Sequence, residues 1–237
     1  MKRMLGDFIE ARQSRRASRE LFEQQQVAIE QLLEADLTYL RETFAGTSTA
    51  LRSESFPDYP GAVWMGDLGV NAFCVQQDVK VEQFPVFVNL VAAGRERVGP
   101  RQFARDATPH TFFSSVDRFS GKQVSLLTND VELVRSVSAS GFNPPPPWLA
   151  WYELGPLIYN LQGDAQYWYE NVWDRYWESL SLAEQDAFIE RRRSSINAYL
   201  SGEQWAKRLD AIRARDARYR QVLSNECVKG SDGDATI

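Results

Sequence analysis

The chain has 237 residues, of which 43% are hydrophobic, 12% aromatic and 25% charged, with a formal net charge of −5. This length and composition fit one large globular domain or two small ones. The negative charge argues against non-specific nucleic-acid binding, which needs a basic surface.

No stretch of the sequence approaches the ~18 apolar residues of a membrane span, and the N-terminus shows no signal-peptide core. The two cysteines, Cys74 and Cys227, give neither a disulfide framework nor a zinc pattern. We therefore expect a cytoplasmic protein that does not bind membranes.

The first 45 residues are predicted to form a long N-terminal helix. Apolar residues recur along it at intervals of three or four, as in an amphipathic helix: Ile29, Leu33, Leu37, Leu40 and Phe44. Gly46 and the polar residues after it predict its end.

Residues 62–128 are predicted to form a small, mostly antiparallel sheet. The stretches 62–75 and 79–91 are rich in Val, Phe and Trp, and the polar residues 76–78 between them predict a hairpin turn. Pro85 predicts an edge strand or a bulge. Further strands are predicted at 111–116 and 122–128.

Residues 129–225 are predicted to be mostly helical. Asn129 and Asp130 are typical caps for a short helix over 131–140, which Gly141 closes. The four prolines at 144–147 predict a stiff joint.

Three longer helices are predicted after this joint. They cover residues 164–180, then 182–200 behind a capping box that begins at Ser181, and then 203–223. Residues 226–237 are predicted to be a disordered tail. The sequence thus predicts a single α+β domain over 1–225, with the sheet packed against long N-terminal and C-terminal helices.

Six of the seven tryptophans lie between Trp148 and Trp205. Winding residues 164–178 at ~100° per residue places the apolar side chains on one half of a helix and the polar ones on the other. Tyr167 falls on the polar half among acids, which is typical of a binding hot spot. We expect a partner-binding surface on this half, composed of Tyr167, Glu170, Asp174 and Glu178.

Charge is divided unevenly along this region. Residues 151–190 contain eight acids and one base, whereas residues 191–220 contain nine bases and three acids. Two explanations stay open. The acidic and basic helices pair with each other, or an acidic surface meets a cationic partner such as the cleft of a nucleic-acid-binding enzyme.

Motifs for catalysis are sparse. The only histidine, His110, has no neighbouring nucleophile motif and is expected in a loop, and no phosphate-binding glycine loop occurs. We expect no catalytic residues, no metal and no cofactor. A weaker alternative is a metal-dependent nuclease, because Pro57-Asp58 followed by Asp78-Val79-Lys80 matches the PD…(D/E)xK pattern. Asp67 and Glu82 would add carboxylates to that site.

Three segments, PPPPW, LQGDAQYWYENVW and RYWESLSLAEQ, resemble bacterial toxin-immunity proteins, including those paired with type VI secretion effectors. The resemblance implies a non-enzymatic, acidic, cytoplasmic inhibitor that binds and occludes one cognate toxin, a nuclease effector being one candidate. A homodimer is compatible with this role. A third alternative is a phage or structural assembly protein whose terminal helices oligomerise.

Overall fold

The computed structural model describes residues 20, 22–105, 110–151, 161–196 and 200–231, with the backbone alone for 192–196 and 226–231. The described residues confirm the α+β class: helices accompany one antiparallel sheet of six strands. Its strands are Val63–Trp64 (β1), Phe73–Lys80 (β2), Glu96–Arg97 (β3), Gln102–Ala104 (β4), His110–Arg118 (β5) and Gly121–Thr128 (β6). The order across the sheet is β1-β2-β6-β5-β4-β3.

The chain forms two compact units. Unit 1 comprises Met1–Gln77, Glu82–Val116 and Gln123–Phe142, and unit 2 comprises Asp78–Val81, Asp117–Lys122 and Asn143–Ile237. The chain passes from unit 1 to unit 2 for the last time after Phe142, close to the proline joint predicted at 144–147. That residues 1–225 form a single domain stays a prediction.

The N-terminal helix ends earlier than predicted, and the part of the prediction that covers residues 1–19 and 21 lies outside the described residues. Helix α1 covers residues 22–33, and Leu37–Thr43 forms a separate helix, α2. Glu34 has a left-handed backbone (φ 50°), and the Asp36 carboxylate accepts the N–H groups of Thr38 and Tyr39 at the start of α2. One continuous helix is therefore wrong, although the apolar stripe along both helices is buried as predicted.

Both faces of the sheet in unit 1 carry helices. On one face, α1 and α2 form a core with Phe112 of β5 and Leu127 of β6. On the other face, Phe87 lies in the helix Phe84–Ala92 (α3), and its ring centre is 6.1 Å from that of Phe113. The helix Val131–Ala139 (α4) follows β6, capped by Asp130 and ended by Gly141 (φ 64°) as predicted.

The hairpin predicted at residues 76–78 is wrong, because these residues lie inside β2. The buried Gln77 amide donates a hydrogen bond of 2.8 Å to the Phe142 carbonyl, so this polar residue is accommodated inside a strand. The strand predicted at 79–91 is wrong beyond Lys80. Pro85 lies in the first turn of α3, where a missing N–H costs no helical hydrogen bond.

Unit 2 contains most of the remaining helices. They are Pro147–Ala150 (α5), Gly163–Trp168 (α6), Asp174–Ser179 (α7), Leu182–Ile196 (α8), Gly202–Arg213 (α9) and Ala217–Ser231 (α10). A π-helical turn, Tyr169–Trp173, joins α6 to α7 without a break, which confirms the helix predicted at 164–180.

The boundaries of the C-terminal helices differ from the prediction. The Ser181–Glu184 capping box opens α8 as predicted. The helix predicted at 203–223 is two helices, because the chain turns at residues 214–216 and the Asp216 carboxylate accepts the Arg218 N–H at 2.8 Å. Helix α10 then continues to Ser231, into the range predicted to be a disordered tail, whose residues 232–237 lie outside the described ones.

Candidate partner-binding surface

Tryptophan packing fixes the orientation of the α6–α7 helix within unit 2. Its apolar half is buried as predicted: Trp168, Tyr169, Val172, Trp173, Tyr176 and Trp177. The Trp173 ring stacks between those of Trp168 and Trp177, with ring centres 6.0 and 5.3 Å apart and planes inclined by 16° and 21°. Such packing leaves the helix little freedom to rotate, so its polar half has a fixed outward direction.

We call five of the outward residues, Asp164, Tyr167, Glu170, Asn171 and Glu178, the acidic face; Arg175 is also exposed on this half and adds one positive charge. All five are exposed, and the relative accessibility of Tyr167 is 49%. Two hydrogen bonds of 2.9 Å stiffen the face, from Gln166 to the Glu170 carboxylate and from Asn171 to the Tyr167 carbonyl. The carboxylates of Asp164, Glu170 and Glu178 form no direct ion pair with any residue that the structure describes, but Glu170 and Glu178 interact electrostatically with Arg215 and Arg218 respectively.

Asp174 differs from the other predicted site residues. Its carboxylate accepts hydrogen bonds from Nε of Arg215, at 2.8 Å, and from Nη2 of the same guanidinium, and its side chain is only 19% accessible. The hydrogen bond to this carboxylate raises the pKa of Arg215. The charge of Asp174 is thus balanced within unit 2.

Pairing between acidic and basic helices accounts for part of the charge pattern. Besides Asp174 with Arg215, Asp186 of α8 pairs with Arg213 of α9. Asp216 accepts hydrogen bonds from Gln185, at 2.8 Å, and from the Arg218 guanidinium, which lowers the pKa of Asp216 to about 2. Internal pairing, the first explanation left open by the sequence, therefore applies to Asp174, Asp186 and Asp216, whereas a cationic partner for the acidic face stays a prediction.

Tyr167 also contacts a cation that the sequence analysis missed. The central guanidinium carbon of Arg118 lies 5.3 Å from the centre of the Tyr167 ring, within cation–π range. Arg118 is at the end of β5, so no local sequence pattern links it to this helix.

The residues of the nuclease hypothesis do not form a site within either unit. Asp58, Asp67 and Glu82 belong to unit 1, whereas Asp78 and Lys80 belong to unit 2. Burial raises the pKa of Asp78 to about 6, partly opposed by Arg118, whose Nε lies 3.4 Å from its carboxylate. In the described part of the chain, no three His, Cys, Asp or Glu side chains lie close enough together to hold a metal ion.

The remaining nucleophile and base candidates are held in the packing of unit 1. His110 is the first residue of β5 rather than a loop residue, and its ring meets that of Phe44 edge to face at 6.3 Å. Burial raises the pKa of the Cys74 thiol to about 12, so this side chain is not a reactive thiolate near neutral pH.

Comparison with protein-family models, with curated proteins and with solved structures gave no match. No helix among the described residues has both the length and the hydropathy needed to cross a membrane.

Proposed function

We propose that this chain is a non-enzymatic binding protein of the toxin-immunity type, which uses the acidic face to occlude a cationic site on another protein. One observation carries the proposal. Exposed carboxylates lie on the same face as a half-exposed tyrosine, on a helix that buried tryptophans hold in place. A rigid aromatic anchor within a charged rim is the usual composition of a binding hot spot.

The partner chemistry follows from the charges. Asp164, Glu170 and Glu178 present negative charge, so the complementary surface is rich in Lys and Arg, as is the cleft of an enzyme that binds nucleic acid. Opposite charges would speed the encounter, and Tyr167 would supply buried contact area in the complex. Occlusion of the cleft would then block its substrate sterically and electrostatically.

The proposal can be tested by affinity capture with charge-reversal variants. Glu170→Lys combined with Glu178→Lys reverses the acidic face, and Glu82→Lys combined with Glu203→Lys is a control with the same change in net charge at exposed positions elsewhere. The full chain and both variants would be used as bait with a lysate of the encoding cell. Mass spectrometry would identify the retained proteins.

We expect the wild type and the control to retain one stoichiometric partner with a basic surface, and the face variant to lose it. Co-expression should then rescue growth from that partner's toxicity, except with the face variant. Equal capture by the face variant would contradict the proposal. A large assembly in light scattering without another protein would favour the assembly alternative instead.

A further inference from the structure

The turn between β5 and β6 has an unusual backbone. Both of its central residues, Phe119 and Ser120, have positive φ angles, of 50° and 57°. Two-residue hairpins often use this geometry, but usually with Asn or Gly, because a bulky side chain is strained there. The Phe119 ring packs against Trp151 at 5.6 Å between ring centres, so unit 2 holds the strained turn in place.

The side chain of Arg118, directly before this turn, contacts three groups of unit 2. Its guanidinium carbon lies 4.7 Å from the Phe119 ring centre and 5.3 Å from that of Tyr167. Its Nε lies 3.4 Å from the Asp78 carboxylate at the end of β2. A planar guanidinium can contact aromatic rings while it pairs with a carboxylate, which the ammonium of lysine does less well.

We infer that Arg118 is a positioning residue of the acidic face, which holds the Tyr167 ring in the orientation that the partner meets. The inference rests on the proposed function. Its physical basis is preorganisation: a ring already ordered in the free protein loses less entropy on binding than a freely rotating one. The contacts also couple Tyr167 to Asp78, two residues that do not touch each other in any described contact.

The ionisation of Asp78 makes the coupling between Asp78 and Tyr167 measurable as a function of pH. Burial raises its pKa to about 6, and a protonated Asp78 attracts the Arg118 guanidinium less strongly. Other charged groups lie at the same strand ends. The Lys80 ammonium is 5.6 Å from the Phe188 ring centre, and Asp117 pairs with Lys122 at 2.5 Å.

The test follows the Tyr167 ring by NMR in the full chain, with all nine tyrosines labelled with ¹³C in the ring and no partner present. Tyr167→Phe identifies the signal. Arg118→Gln removes the guanidinium, and Arg175→Gln is the matched control, because Arg175 is exposed and lies on the same helix without a described contact to the ring. Asp78→Asn keeps Arg118 and removes the titrating group.

In the wild type and the Arg175→Gln control, we expect the Tyr167 signal to shift with pH with a midpoint near 6, as Asp78 titrates. Arg118→Gln should move the signal at neutral pH and abolish the pH step. If Arg118→Gln fails to fold, Asp78→Asn provides the test. It should abolish the pH-dependent shift of the Tyr167 signal, while the signals of the other eight tyrosines stay in place.

A pH step that persists in a folded Arg118→Gln or Asp78→Asn variant would overturn the inference. So would a Tyr167 signal that Arg118→Gln leaves unmoved at neutral pH. Because no partner is present, these outcomes do not depend on the proposed function. That function fails separately, if the identified partner binds Glu170→Lys/Glu178→Lys unchanged.

Discussion

The carboxyl group of Asp78 should make the stability of unit 2 depend on pH. Burial raises its pKa in the folded chain to about 6, from an ordinary value of 3.8. Between these two values the folded state binds more protons than the unfolded state. The stabilising contribution of the protonated carboxyl is therefore complete below about pH 4 and is lost as the pH rises through 6.

The size of this effect follows from the shift. A difference of about two pKa units corresponds to roughly 3 kcal/mol at 1.36 kcal/mol per unit. Asp78→Asn, which stays neutral, should not lose this contribution. We expect the free energy of unfolding of the variant, minus that of the wild type, to rise by about 3 kcal/mol between pH 3.5 and 7.5.

Urea denaturation followed by tryptophan fluorescence can measure this difference, because six of the seven tryptophans lie between Trp148 and Trp205 in unit 2. Groups common to both proteins cancel in the subtraction. Asp164→Asn, at an exposed position, is a control that should show no such slope. A difference between Asp78→Asn and the wild type that stays constant over this pH range would refute the reasoning.

Three further substitutions probe the packing of unit 2. Trp173→Ala should lower the free energy of unfolding by about 3–5 kcal/mol, measured by urea denaturation followed by circular dichroism, since the ring is fully buried. Asp174→Asn should cost about 1–3 kcal/mol in the same measurement, because it leaves the Arg215 guanidinium without its charged partner. Ser181→Ala should cost about 1 kcal/mol in thermal denaturation by removing the cap of α8. A loss below 0.5 kcal/mol for any of these would contradict its assigned contact.

Local patterns predicted the parts of the fold that depend on neighbouring residues. The spacing of tryptophans and tyrosines in 164–178 predicted which half of the helix is buried, because burial of an amphipathic helix follows its 3.6-residue period. Caps at Asp130 and Ser181 were also predictable, since each cap contacts an N–H group three residues away. The same logic located the strands β5 and β6.

Two of the wrong predictions have different physical reasons, a contact with a distant residue and an ambiguous apolar composition. The polarity of Gln77 predicted a turn, but its side-chain amide donates a hydrogen bond to the carbonyl of Phe142, 65 residues later. Residues 79–91 were predicted to be a strand by their apolar composition, although β2 ends at Lys80 and the helix Phe84–Ala92 follows. Apolar composition alone does not distinguish a strand from a buried helix.

For the acidic face, the sequence predicts which residues point outward better than it predicts which of their carboxylates are paired. Asp174 and Glu178 lie on the same half of one helix, and no local feature separates them. Arg215, 41 residues after Asp174, forms hydrogen bonds with the Asp174 carboxylate, whereas the exposed Glu178 has no direct ion pair among the described residues. Likewise, Arg118, the last residue of β5, contacts the Tyr167 ring although the two residues are far apart in the sequence. Helical periodicity identifies the residues that point outward, but the distant arginines determine which of their side chains are paired or stacked.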